Sequence, residues 1–116
     1  MPFILYWNIS LETGGSSRWG WRQNSLVTVD QAAKTLRWNH EYYVLKHISH
    51  FVEPGASRVE TEGTLDDALA FRNRDGRVVI VLRNARPYSQ PVTVSAGGSA
   101  VALTLDADSY NTLVLE

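Results

Sequence analysis

The sequence predicts a mostly β protein: an antiparallel β-sandwich with one α-helix and a separate strand at the amino end. Three observations predict it. From Arg58 to Glu116, short β-type runs recur between turn residues at the spacing of roughly 8 to 12 residues that marks antiparallel sandwiches. A helical period occurs in one segment, just after Asn39. The opening, Phe3 to Leu11 (FILYWNISL), is dense in the β-branched and aromatic residues that suit a pleated sheet.

In Phe3 to Leu11 the apolar run is nearly continuous through Trp7, so the simplest reading is a strand buried on both faces, as in parallel sheets. Thr13 to Asn24 (TGGSSRWGWRQN) holds three of the eight glycines and two of the four tryptophans and has neither period, which makes it a surface loop. Ser25 to Val29 and Thr35 to Trp38 are short strands across a polar turn, and residues 25–38 are expected to pair with the sandwich. Asn39 is placed to cap a helix, with Glu41 at the positive end of its dipole. Val44, Leu45, Ile48, Phe51 and Val52 form its apolar stripe, and Pro54-Gly55 stops it. A boundary near 56/57 then leaves residues 57–116 to the sandwich. Its five candidate strands are Asp67 to Arg72, Val78 to Arg83, Pro91 to Ser95, Ala100 to Leu105 and Asn111 to Leu115. Asp75-Gly76 supplies the positive φ of a tight hairpin, and Val101, Leu103 and Leu105 alternate with Ala102 and Thr104 as a half-buried strand requires.

At 116 residues the chain has the length of one domain and cannot hold a complete (β/α)₈ barrel, which needs about 250. Eleven Lys plus Arg against twelve Asp plus Glu, with no basic cluster, argue against nucleic acid as a partner. The absence of cysteine excludes disulfides, iron–sulfur clusters, thiolate zinc sites and a cysteine nucleophile. The longest fully apolar run, Val78 to Leu82, is far short of the roughly 20 residues of a membrane span. Met1 to Trp7 lacks the basic start of a signal peptide.

Trp7, Asn8, Glu12 and the Trp19-Gly20-Trp21 loop gather the residue types that bind sugars. Indoles cover the C–H faces of a pyranose while amides and guanidinium groups bond its hydroxyls. On composition alone, aromatic residues filling a packing gap are the simpler account.

The order and spacing of four segments resemble a known family. They are Tyr6-Trp7-Asn8-Ile9-Ser10-Leu11 with Gly14-Gly15; Gly20-Trp21-Arg22-Gln23-Asn24-Ser25 with Val29-Asp30; Glu41 to His47; and Phe51-Val52-Glu53-Pro54-Gly55. In that order they look like the carboxyl-terminal end of glycoside hydrolase family 30, the family of glucosylceramidase. The Asp-Gly hairpin followed by Val78 to Asn84, and the terminal Ser109 to Leu113, are similar too. The resemblance covers essentially the whole chain. It implies that the chain begins at the eighth strand of a (β/α)₈ barrel, continues through the last barrel helix and ends in the accessory sandwich. Residues 1–56 would then be the barrel remnant.

The resemblance also implies a retaining β-glycosidase, linked to carbohydrate and sphingolipid metabolism, whose two catalytic glutamates lie upstream of Met1. A retaining glycosidase needs both carboxylates, about 5 to 5.5 Å apart, so no catalytic residue and no hydrolysis are expected of the chain alone. Trp7 matches a tryptophan that contacts the sugar, Asn24 matches an asparagine near the pocket, and Asn8, Trp19 and Trp21 would lie close by. The implied partners are a β-glucoside and the missing barrel. Without that barrel these side chains become an exposed apolar patch, and the unpaired strand Phe3 to Leu11 predicts strand exchange or dimerisation.

Glu12 sits where catalytic groups of barrels sit, yet a solvated loop carboxylate is the simpler account. His40, His47 and His50 invite a metal reading but read better as a helix-surface cluster, and Asp66-Asp67 with Glu60 and Glu62 as charged sandwich rims rather than a calcium loop. Ser16, Ser17 and Ser25 lie in no nucleophile elbow, no phosphate loop occurs, and no motif calls for a cofactor. A stand-alone carbohydrate-binding module is the alternative function. Against it, the sandwich zone offers only Phe71, Tyr88 and Tyr110 where a sugar platform needs several aromatic faces in one plane. The sequence leaves open the compartment, including whether the parent enzyme is secreted, and the glycoside cleaved.

Overall fold

The computed structural model describes residues 4–116. In chain order the elements are β1 (Ser10–Glu12), β2 (Val27–Asp30), β3 (Thr35–Trp38), α1 (His40–Ser49), β4 (Ser57–Val59), β5 (Ala68–Arg72), β6 (Val78–Asn84), β7 (Gln90–Ala96), β8 (Ser99–Leu105) and β9 (Ser109–Leu115). They fall into two units, Met1–Leu45 and Lys46–Glu116, and the division lies inside α1.

In the first unit, β1 runs parallel to β2 with Ser10 opposite Val27, and β2 runs antiparallel to β3 with Asp30 opposite Thr35. The turn between β2 and β3 closes when Asp30 Oδ1 accepts the Ala33 N–H at 2.9 Å, with Lys34 at φ 53°. The ladder partners of β2 are β1 and β3. The expectation of one long doubly buried strand is corrected. Within the described residues only Ser10–Glu12 is strand, and Ile4, Leu5, Trp7 and Ile9 are 70, 86, 77 and 72% exposed; Phe3 lies outside those residues. An apolar run is buried on two faces only where neighbours flank it, and β1 has β2 on one side alone.

Helix α1 begins as Asn39 C=O accepts the Tyr42 N–H at 3.1 Å. Its side chain, read as the cap, is engaged elsewhere: Asn39 Nδ2 donates to Ser25 C=O at 2.8 Å and to Thr28 Oγ1 at 2.9 Å, fastening the helix start to β2. Trp38 packs on Tyr42, ring centroids 4.5 Å apart. The helix ends at Ser49, before Phe51 and Val52, whose N–H groups both turn back to Ile48 C=O. None of its residues is fully buried.

The second unit is the sandwich. One layer is the four-stranded sheet β4-β5-β6-β9, antiparallel at every pair, and the other is the β7-β8 hairpin. Between them Ala70, Ile80, Leu82 and Leu105 form the core, backed by Val92, Val94 and Leu103 from the hairpin and Leu113 and Leu115 from β9. Strand alternation explains the membership: Ile80 and Leu82 face inward, while Val79 and Val81 occupy the opposite face of the same strand. That opposite face is covered too. His47 Nδ1 lies 2.8 Å from Thr112 Oγ1 on β9, and the His47 and Tyr110 rings stand 6.0 Å apart. Val79 is therefore fully buried, and the continuous apolar run of Val78 to Leu82 marks the strand sandwiched on both sides.

Two buried asparagines fasten strand ends to neighbouring segments. Asn73 Nδ2 donates to Phe51 C=O at 2.9 Å while its Oδ1 accepts the Glu53 N–H at 3.0 Å. Asn84 Nδ2 donates to Tyr88 C=O and Asp106 C=O, each at 2.8 Å, and its Oδ1 accepts the Arg86 N–H at 3.1 Å. The Asp75-Gly76 hairpin forms as read, with Gly76 at φ 91° and Asp75 accepting from the Arg77 N–H and Nε.

Candidate functional site

Trp19, Trp21 and Asn24 lie on the loop between β1 and β2, Asn8 contacts that loop, and Trp7 precedes β1. This loop folds back on itself because Gly15 C=O accepts the Gln23 N–H at 2.7 Å and Glu12 C=O accepts the Gly15 N–H at 2.9 Å. Gly15 sits at φ 61°, and a Cβ there would stand 2.6 Å from Gln23 O, so the close approach of the two loop limbs requires glycine. Further out, Ser17 N–H donates to Trp21 C=O at 2.8 Å, and Ser17 Oγ accepts the N–H groups of Trp19 and Trp21 at 3.3 Å each. The loop tip is thus an internally bonded hairpin.

On that tip Trp19 and Trp21 are 66 and 64% exposed, their rings 6.0 Å apart and inclined by 34°. The Arg18 guanidinium lies 5.4 Å from the Trp19 ring centre, a cation–π contact. Asn8 adopts φ 71°, a left-handed conformation that asparagine tolerates better than most residues. Its Nδ2 donates to Gln23 Oε1 at 2.9 Å, with Asn24 C=O at 3.5 Å. Trp7 is solvent-facing. Partial loss of water contact and then the Glu41 carboxylate push the Tyr6 hydroxyl above its ordinary pKa.

The structure therefore brings Asn8 into contact with Asn24 and pairs Trp19 with Trp21. It also places Asn24 on the wall of a cleft of about 650 Å³, which Trp7, Asn8, Trp19 and Trp21 do not line. That cleft runs past Gly14 and Gly15, Arg22 and Gln23, the Thr28, Asp30, Thr35 and Arg37 side of the β2-β3 hairpin, and the helix start at Asn39, His40 and Glu41. The sequence reading missed it. Its signal was present as polar residues at alternate positions, 28 and 30 in one short strand and 35 and 37 in the next. Glu12 takes part differently: its carboxylate accepts a hydrogen bond from Gln31 Nε2. His50 packs edge-on against Phe51. Among the described residues no cluster of three or more His, Asp or Glu has metal-binding geometry, and no helix is long and apolar enough to cross a membrane.

Comparison with known proteins places the chain in a family. Residues 55–113 match the glycosyl hydrolase family 30 beta sandwich domain. The Caenorhabditis elegans protein named "Putative glucosylceramidase 2" is 29% identical over 88 residues, which is 71% of this chain and 17% of the relative. Among solved structures, SrfJ from Salmonella typhimurium superposes with a TM-score of 0.86 at 28% identity over 94% of this chain. The endo-β1,6-glucanase BT3312 does so with 0.79 at 31% identity over 91%. The chain spans 25% of the length of each of these two.

Proposed function

Because this chain belongs to glycosyl hydrolase family 30, through the family's β-sandwich domain, we propose that it is the sandwich and last barrel unit of a glucosylceramidase-like retaining β-glycosidase. In this reading residues 57–116 form the accessory domain that buttresses a catalytic barrel, and residues 1–56 are that barrel's final strand, loop and helix. Trp7 and Asn24 contact the sugar, with Asn8, Trp19 and Trp21 beside them. Both catalytic glutamates belong to the barrel outside these 116 residues.

The observation that carries the reading is the exposure of the apolar side chains of Ile4, Leu5, Trp7 and Ile9 in a chain whose sandwich has a core of its own. Large apolar surfaces of this kind mark an interaction site, and a barrel strand without its neighbours is such a surface. The test is hydrolysis of an aryl β-glucoside by the purified chain, with titration of glucose and short β-glucans in the same preparation. No turnover is expected. Turnover above the buffer blank that is lost in Glu12→Gln would place catalysis within the chain and overturn the assignment.

A second reading, a stand-alone carbohydrate-binding module, is favoured by one observation, the exposed and internally braced Trp19–Trp21 pair. Saturable binding of β-glucan oligomers that quenches tryptophan fluorescence and is lost in Trp19→Ala would support it. Self-association through the exposed apolar side chains of residues 4–9 is a third consequence. A dimeric mass by light scattering, reduced to monomer by Ile9→Lys, is its expected signature, and a monomeric mass at all concentrations would dismiss it.

A further inference from the structure

The sandwich holds a cleft of its own, of about 550 Å³, between its two layers. Its hairpin layer is two strands wide and the facing sheet is four, so the sheet extends past the hairpin. Val59, Ala68 and Ala70 line the cleft from β4 and β5, and Val92 and Val94 from β7, whose whole length borders it. Of these, Ala70 is buried and the other four are only half-buried.

Along one side the cleft offers a strand edge. Ala96 and Ser99 flank the two-residue Gly97-Gly98 turn, both glycines at positive φ, so this pair exchanges both of its ladder bonds. Alternation carries the pattern back along β7. Val94, Val92 and Gln90 turn their backbone groups to β8, while Ser95, Thr93 and Pro91 turn theirs away. Among the described residues β8 is the single ladder partner of β7. Pro91, which has no N–H, falls at an outward position, where it costs no ladder bond. The cleft thus has the form of one further strand: apolar walls, with the N–H and C=O groups of Thr93 and Ser95 along one side.

The same chain carries a segment of matching chemistry. Ile4, Leu5 and Trp7 are exposed, and in extended form residues 4–7 set Leu5 and Trp7 on one face. Asn8, at φ 71°, ends that stretch. The cleft also carries Glu60, Glu62 and Asp66 against the single cation Arg72, which disfavours an acidic strand; residues 4–7 carry no charge.

We propose that residues 4–7 of one copy of this chain add to β7 of a second copy as a further strand, with Leu5 and Trp7 in the interlayer cleft. The proposal rests on the self-association reading above and deepens it by naming the acceptor. Donor and acceptor are different surfaces, so the contact is heterologous.

The experiment is sedimentation velocity of the 116-residue chain over a concentration series, with Leu5→Lys removing the donor and Thr93→Pro the acceptor. The unsubstituted chain should associate as concentration rises, and each variant alone should associate roughly tenfold or more weakly, the scale of a lost hydrogen bond or buried side chain. Leu5→Lys keeps the cleft and Thr93→Pro keeps the segment, so an equimolar mixture should recover association as a one-to-one complex. Ser95→Pro repeats the acceptor test should Thr93→Pro lose its far-UV strand signal. Exchange at the Thr93 and Ser95 amides of the unsubstituted chain should also slow on association, a readout that needs no variant. A monomer at every concentration would overturn the proposal, as would unchanged exchange at those two amides. Association that survives a folded proline variant would keep self-association and overturn this acceptor. A mixture that fails to recombine would overturn it too, as the mark of a symmetric contact. Hydrolysis assays do not enter any of these results, so the accessory reading stands or falls separately.

Discussion

Replacing Asn84 by alanine should destabilise the sandwich by about 3 kcal/mol. The side chain is 1% exposed and makes three bonds of 3.1 Å or less, to the Tyr88 and Asp106 carbonyls and from the Arg86 N–H. A buried hydrogen bond contributes about 1 kcal/mol net, and each partner left unsatisfied adds a desolvation cost where water cannot reach it. Three such losses give about 3 kcal/mol, a large part of the 5 to 15 kcal/mol that holds a typical domain together. At roughly 4 to 8 °C per kcal/mol for a unit of this size, the midpoint should fall by about 12 to 24 °C. Asn84→Asp retains the acceptor for Arg86 but aims a carboxylate at two carbonyl oxygens, so at neutral pH it should cost at least as much. Urea unfolding followed by far-UV circular dichroism measures both, because the strands dominate that signal in the sandwich. A loss under about 1 kcal/mol for Asn84→Ala, at unchanged denaturant slope, would refute the reasoning that this amide is what joins the end of β6 to the turns after it.

Three further perturbations follow from the same structure. Leu105→Ala empties a fully buried core position between the two layers and should cost about 2 to 5 kcal/mol in the same assay. Gly15→Ala should disrupt the β1-β2 loop more than Gly14→Ala, since both have positive φ but only Gly15 would drive a Cβ against the Gln23 carbonyl; amide exchange at Gln23 measures it, and equal protection in both variants would count against the close approach. Asp75 is held below its ordinary pKa, first by the Arg77 N–H and then by the Arg77 side chain. Its folded pKa being the lower one, its contribution is complete above the unfolded pKa, near 3.9, and is lost as pH falls through the folded value. The Arg77 amide shift should report that step in strong acid, and Asp75→Asn should abolish it; titration of Asp75 at or above the ordinary carboxylate range would be the contrary result.

The sandwich was legible in the sequence because its signals are local. Val101, Leu103 and Leu105 alternate in burial with Ala102 and Thr104 as the pattern required, and Asp75-Gly76 turns where its chemistry says it must. Membership in the family was legible through ordered segments that span both units. The clasp asparagines were not, since an Asn ending Phe71-Arg72-Asn73 or Leu82-Arg83-Asn84 looks like any turn residue until tertiary structure sets carbonyls around it. The cleft escaped for the same reason: Thr28, Asp30, Thr35 and Arg37 read as the solvent side of two strands, and only the returning loop at Arg22 and the helix start at Glu41 turn that side into a wall.

Two largely apolar runs met opposite fates, and the contrast bears on function. Val78 to Leu82 is buried because β5 and β9 pair with both its edges, the hairpin covers one face and the segment around His47 lies on the other. In residues 4–9 the large apolar side chains of Ile4, Leu5, Trp7 and Ile9 stand in solvent. Apolar periodicity thus states a demand for burial, and topology decides whether the chain itself supplies it. In the sandwich it does. At the amino end the demand is unmet within the described residues, which is why the docking of a catalytic barrel, proposed above, should protect the amides of residues 8–12 from exchange while leaving those of β6 as slow as before. Equal protection of residues 8–12 with and without the barrel would mean that this segment is not where the two parts meet.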